Sequence, residues 1–209
     1  TTTINGGTIT TVSTTATGNV AVTVDKNAHI TTLNTSNTAG AVTISGASTV
    51  DSLTAAGAVT ISGASTVNSL TTTGSGDITL SGTGTTLKND LNGKSGANNK
   101  ITIADGAKVD GTINLNTAQD SDLQNSKTGD QVIVSGAGTV VNKIDTGSGA
   151  KTITLENNAT INTIDAGYKK NDILLSGSGT VKELITGDTA PSDTHKIKIG
   201  GDTAGTILS

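Results

Sequence analysis

Carboxylates set among glycines are the first residues in this chain whose type and spacing suggest chemistry. The run Gly74-Ser75-Gly76-Asp77-Ile78-Thr79-Leu80 approaches the calcium-holding repeat Gly-Gly-x-Gly-x-Asp-x-apolar-x, where an Asp and backbone carbonyls of adjacent turns hold the ion. It lacks the first glycine pair and one spacer. Lys170-Asn171-Asp172-Ile173-Leu174 and Thr186-Gly187-Asp188 are weaker echoes. Calcium needs several oxygens, usually from two or more carboxylates, and a single Asp per turn serves equally well as a turn former bonded to its own backbone. Calcium is thus the one ion the sequence leaves open, with Asp77, Asp120 and Asp122 as candidate ligands. No other cofactor is indicated.

Other chemistries lack their residues. The 209-residue chain has no Cys, Met, Trp or Phe, one Tyr (Tyr168) and one Pro (Pro191). Without Cys there is no disulfide framework, no thiolate nucleophile and no Cys-based zinc site. The two histidines, His29 and His195, lie far apart in sequence and flank strand-like segments, so they read as solvated or turn residues. All 13 basic residues are Lys and the net charge is −4, which argues against a nucleic-acid reader. Sugar-cleaving solenoids need paired carboxylates or a basic cluster with aromatic grips. Here carboxylates are scattered and those grips are missing, so the reading is of a protein that is not an enzyme. An ice-binding face would need flat Thr ranks. Thr23, Thr43, Thr60, Thr79 and Thr102 form one, but the next turns carry Ile133, Thr154, Leu174 and Lys198, and a second face carries Asp51, Asn68, Lys88, Asp110 and Lys182. Thr is in any case a good exposed strand residue.

The elements that would position these residues follow from a repeat. Ala39–Leu53 and Ala56–Leu70 match at 14 of 15 positions, differing only at Asp51 and Asn68, with an offset of 17 residues. Looser copies run along the chain. Each has an apolar pair two apart, such as Val42/Ile44, Val59/Ile61, Ile78/Leu80 or Ile101/Ile103. About six residues later comes another apolar residue, with a last one three or four beyond, as in Val50/Leu53 and Leu87/Leu91. In Val42-Thr43-Ile44 the alternation puts Val and Ile on one face and Thr on the other, and β-branched residues favour the pleated strand. Gly-Ala-Ser or Gly-Ser-Gly segments then turn the chain. No stretch carries a helical stripe longer than two turns.

A unit of about 20 residues cannot bury its own apolar face, but it can when stacked on its neighbours. The expected fold is all-β: a right-handed parallel β-helix (β-solenoid) of about ten coils, about 20 residues per coil, the hand following from the crossover preference of parallel strands. The competing fold is an antiparallel sandwich of short strands. Against it, only Asn5-Gly6, Asn92-Gly93, Asp105-Gly106 and Asp110-Gly111 offer tight hairpin turns. Residues 1–209 read as one solenoid, with extruded loops near 88–99, 116–130 and 186–195. Insertions in repeat proteins map to loops that often bind, or are simply tolerated. Neither end shows a cap, so the expectation is a fragment of a longer chain or a body that polymerises end to end. No apolar run is long enough for a membrane helix. Asn142 and Asn162 occupy comparable places in successive turns, where stacked Asn can form a hydrogen-bonded ladder.

Residues 58–70, Asp130-Gln-Val-Ile-Val-Ser-Gly-Ala-Gly-Thr-Val140 and Ile161-Asn-Thr-Ile-Asp-Ala-Gly167 resemble the β-strand repeats of giant secreted bacterial surface proteins: haemagglutinin-like adhesins, autotransporter passengers and some S-layer proteins. The resemblance spans nearly the whole chain and is one of style and period. It implies an extracellular structural segment at the bacterial surface, an adhesin stalk or passenger mediating attachment or display. The alternative is a component of an S-layer lattice, with or without calcium. The implied partners are a host cell, a glycan or abiotic surface, or copies of the chain itself, with no nucleic acid and no membrane insertion by this segment. No catalytic residues carry over.

Overall fold

The computed structural model describes residues 1–15, 18–94, 99–115, 130–147, 151–167, 172–175, 178–186, 196–199 and 206–207. Its elements are strands, with no helix among the described residues. They form two parallel sheets, of ten and eleven strands, in which each coil contributes one rung to each sheet. This is the β-solenoid expected from the repeat, and ten rungs in the first sheet is close to the expected number of coils. The antiparallel sandwich is ruled out, because neighbouring rungs run in the same direction: Val42, Thr43 and Ile44 pair in register with Val59, Thr60 and Ile61, and those with Ile78, Thr79 and Leu80.

Side-chain alternation explains why the stack holds. In the first sheet Val22, Val42, Val59, Ile78, Ile101, Val132 and Ile153 stand in one buried column, and Val24, Ile44, Ile61, Leu80, Ile103, Val134 and Leu155 in a second. In the second sheet Ile30, Val50, Val67, Leu87, Val109, Val141 and Ile161 make a third column, and Leu33, Leu53, Leu70, Leu91, Ile113, Ile144 and Ile164 a fourth. Each fully buried Val, Leu or Ile contributes about 1.5–3 kcal/mol relative to exposure. No aromatic ring is needed, because aliphatic side chains of similar volume interdigitate along the shaft.

The second sheet departs from strict alternation at a fixed place. Between Val50 and Leu53 two consecutive residues face outward, and the strand bends there. In the rung of Thr86–Leu87 the bend takes three residues, so Leu91–Asn92 forms a separate short strand on the same path. The next rung carries the corresponding register shift between Val109 and Thr112. The four-residue spacings Leu87/Leu91 and Val109/Ile113 in the sequence mark these wider bends.

The two edges where the chain passes between sheets differ. From first sheet to second the connection is a tight turn with left-handed residues: Lys26 and Asn27, Gly46 and Ala47, Gly63 and Ala64, Asp105 and Gly106, Asn157 and Asn158 all have positive φ. Below the turns runs a buried column of small residues, Ala28, Ser48, Ser65, Thr85, Ala107, Thr139 and Ala159. Its hydroxyls satisfy turn amides of neighbouring rungs: Ser48 N–H donates to Ser65 Oγ at 3.1 Å and Gly106 N–H to Thr139 Oγ1 at 2.9 Å. The opposite edge, from second sheet to first, carries connections of variable length.

Candidate functional site

The variable edge is the candidate site. The three loops expected from spacing fall on this edge, between strands ending at Asn92, Asn114 and Ile185 and those beginning at Lys100, Gln131 and Lys196. The first is shorter than 88–99, because Lys88–Asn92 belongs to the stack. Lys88 and Asn89 donate backbone N–H groups to Val67 and Asn68, and Leu91 pairs with Leu70 and Ile113. In the rest of this connection residues 95–98 lie outside the described residues, while Asn99 is tied to the next rung, its carbonyl accepting from Gln131 N–H at 2.9 Å. Residues 116–129 and 187–195 lie outside the described residues.

At the roots of these connections sits a polar column inside the protein. The residue two before each first inward aliphatic also faces inward, by the same period-two rule. In three successive coils it is Gly40, Gly57 and Gly76. A Cβ on Gly57 would overlap the Gly40 carbonyl, and one on Gly76 the Gly57 backbone, so these coils pass too close for a side chain. In the next three coils the position is Asn99, Asp130 and Lys151, all buried. Asn99 Nδ2 donates to Gly76 O at 2.9 Å, Asn99 N–H donates to Asp130 Oδ1 at 2.9 Å, and Lys151 Nζ lies 3.2 Å from Asp130 Oδ2. The Lys151 and Asp130 side chains are 5% and 3% exposed. Burial raises the Asp130 carboxyl above its ordinary value, against the opposing pull of Lys151 and the Asn99 N–H. Asn99 Oδ1 is buried without a hydrogen-bond partner among the described residues.

Sequence reading did not single out this column. Its only signal is positional: counting two back from Ile101, Val132 and Ile153 reaches Asn99, Asp130 and Lys151. Insertions of unequal length before each strand obscure that alignment.

The outward faces carry the residues the sequence did place. Thr3, Thr23, Thr43, Thr60, Thr79 and Thr102 form one unbroken rank in register, followed by Ile133 and Thr154. Around the bend of the second sheet, polar side chains pair between rungs: His29 Nε2 is 3.0 Å from Asp51 Oδ2, Asn68 Nδ2 donates to Asp51 Oδ1 at 2.9 Å, and Lys88 Nζ is 3.3 Å from Asp110 Oδ2. His29 opens the strand His29–Thr35 and is half exposed. Asn162 Nδ2 donates to Asn142 Oδ1 at 3.3 Å, so the expected Asn ladder forms over these two rungs. A second Asn step joins Asn114 to Asn92 at 2.8 Å. Lys143 Nζ lies 3.0 Å from Asp165 Oδ2, and this contact raises the lysine above its ordinary value, with Asp145 and Glu183 adding to the effect.

Of the calcium candidates, only Asp77 lies among the described residues. Asp77 is exposed ahead of the strand Ile78–Ser81, its backbone carbonyl accepting from Val59 N–H at 2.8 Å. Asp120 and Asp122 lie outside the described residues, as do Tyr168, Asn171, Asp188, Pro191 and His195. Among the described residues no three His, Asp or Glu side chains are grouped to hold a metal ion. Compared with protein-family models, curated proteins and solved structures, the chain matches none.

Proposed function

We propose that this chain is a rigid structural segment of a secreted bacterial surface protein, an adhesin stalk or passenger, and that it works mechanically rather than catalytically. The observation that carries this reading is the contrast between its two edges. One edge is a repeated tight turn with a buried column of small residues. The other varies in length from coil to coil around an unbroken core. Such a body keeps a constant shaft while one side is free to present binding loops, as loops on a rigid scaffold commonly do. Stacked at about 4.8 Å per rung, the shaft would be on the order of 48 Å long. It resists bending because each rung is tied to the next by backbone hydrogen bonds and by four aliphatic columns.

The test is attachment. The purified chain should be a monomeric rod in small-angle scattering and should bind bacterial or host cell surfaces, or immobilised glycans. Replacing 116–129 with a short Gly-Ser linker should reduce that binding and leave the rod dimensions unchanged. Assembly of the chain into ordered sheets on adding calcium, without surface binding, would overturn the stalk reading in favour of a surface-layer component.

A further inference from the structure

We propose that Lys151 and Asp130 condense to an amide, a covalent cross-link between adjacent coils at the variable edge. Three observations carry it. The two reacting groups are held in contact, Lys151 Nζ at 3.2 Å from Asp130 Oδ2, and such pre-positioning supplies the entropic part of the barrier that free amine and acid would face. The pair is dry, at 5% and 3% exposure. A single proton transfer across the contact would convert carboxylate and ammonium to carboxylic acid and amine, the reactive forms, and burial raises the Asp130 carboxyl above its ordinary value. Finally, the Asn99 backbone N–H points at Asp130 Oδ1 from 2.9 Å, where negative charge develops when Cγ becomes tetrahedral.

The step balances without a co-reactant. The Lys151 amine attacks Asp130 Cγ and forms the C–N bond. The C–O bond to Oδ2 breaks, and Oδ2 leaves as water carrying the acid proton and one amine proton. The other lysine–aspartate contacts act as internal controls. Lys88–Asp110 and Lys143–Asp165 have similar distances, 3.3 and 3.0 Å, but their side chains are 52%/47% and 34%/29% exposed. Both pairs are open to solvent, and neither should react.

Intact-mass measurement of the folded protein under denaturing electrospray tests the proposal. The expected mass is one water below that of the sequence, and digestion should yield a branched peptide joining Lys151 to Asp130. Lys151→Met and Lys151→Arg should restore the full mass. Asp130→Asn should still form the link, losing ammonia in place of water. A folded protein of full sequence mass overturns the proposal. So does a water loss that persists in Lys151→Met, which would trace instead to cyclisation at Asp105-Gly106 or Asp110-Gly111.

Discussion

Ala47 and Ala64 occupy the same position in successive tight turns, and both adopt the left-handed conformation, with φ of 56° and 59°. A residue with a Cβ costs about 1–2 kcal/mol there. The turn is repeated because its neighbours bind to one another, Ala47 N–H donating to Gly63 O at 2.7 Å. Ala47→Gly and Ala64→Gly are therefore expected to stabilise the protein. Part of the relief is offset by the greater entropy that Gly loses on folding, which leaves up to about 1 kcal/mol each. Urea unfolding of each variant checks this; a loss of stability would contradict the turn geometry.

The glycine column on the opposite edge makes the reverse prediction. Gly57→Ala puts a methyl group into the Gly40 carbonyl, and overpacking of this kind costs about 1–3 kcal/mol. Gly18, with no atom within 4 Å of an added Cβ and no positive φ, is the control: Gly18→Ala should leave the urea midpoint unchanged or slightly raised.

Burial in the columns should divide strand residues into two classes. Ile61 is fully buried and Thr60, beside it, faces out. Ile61→Ala is expected to cost about 2–5 kcal/mol, and Thr60→Ala under about 1 kcal/mol. Equal losses at both positions would mean that the two faces of this strand are not distinct.

These classes were legible in the sequence because β-branched residues alternate with Thr over short stretches, which specifies both the strand and its inward face. The tight turns were legible from their Gly-Ala-Ser runs, and the Asn142–Asn162 step from equivalent positions in the repeat. The bend in the second sheet showed only as a three- or four-residue gap, since a strand that turns a corner has no composition of its own. Asn99, Asp130 and Lys151 stayed hidden for a different reason. Polar residues beside variable loops read as solvent-facing, and only the register of the stack turns them inward. Glycine at the same position in earlier coils erased the comparison that would have exposed them.

The Lys143–Asp165 contact predicts a response to alkaline pH. The folded-state lysine is held above its ordinary value of 10.5. Its contribution is therefore fully present below that pH and is lost as pH rises through the higher folded value. Between neutral pH and pH 10 the difference in urea midpoint between wild type and Lys143→Met should be constant, and it should shrink at higher pH. The pair is partly solvated, so the difference is expected to be small. A difference that grows with alkalinity would contradict the assigned pairing.

The central claim is that consecutive coils stack in register whatever their length. Spin labels on the outward threonine rank measure this directly by double electron–electron resonance, with cysteines introduced into a chain that has none. Thr23 and Thr102 are four rungs apart, and Thr23 and Thr154 six. At about 4.8 Å per rung the backbone separations are roughly 19 and 29 Å. The account predicts two narrow distributions differing by about 10 Å, the height of two rungs, although the intervening chain includes the long connection between Asn114 and Gln131. A broad distribution for the second pair, or an increase that follows chain length instead of rung number, would contradict it.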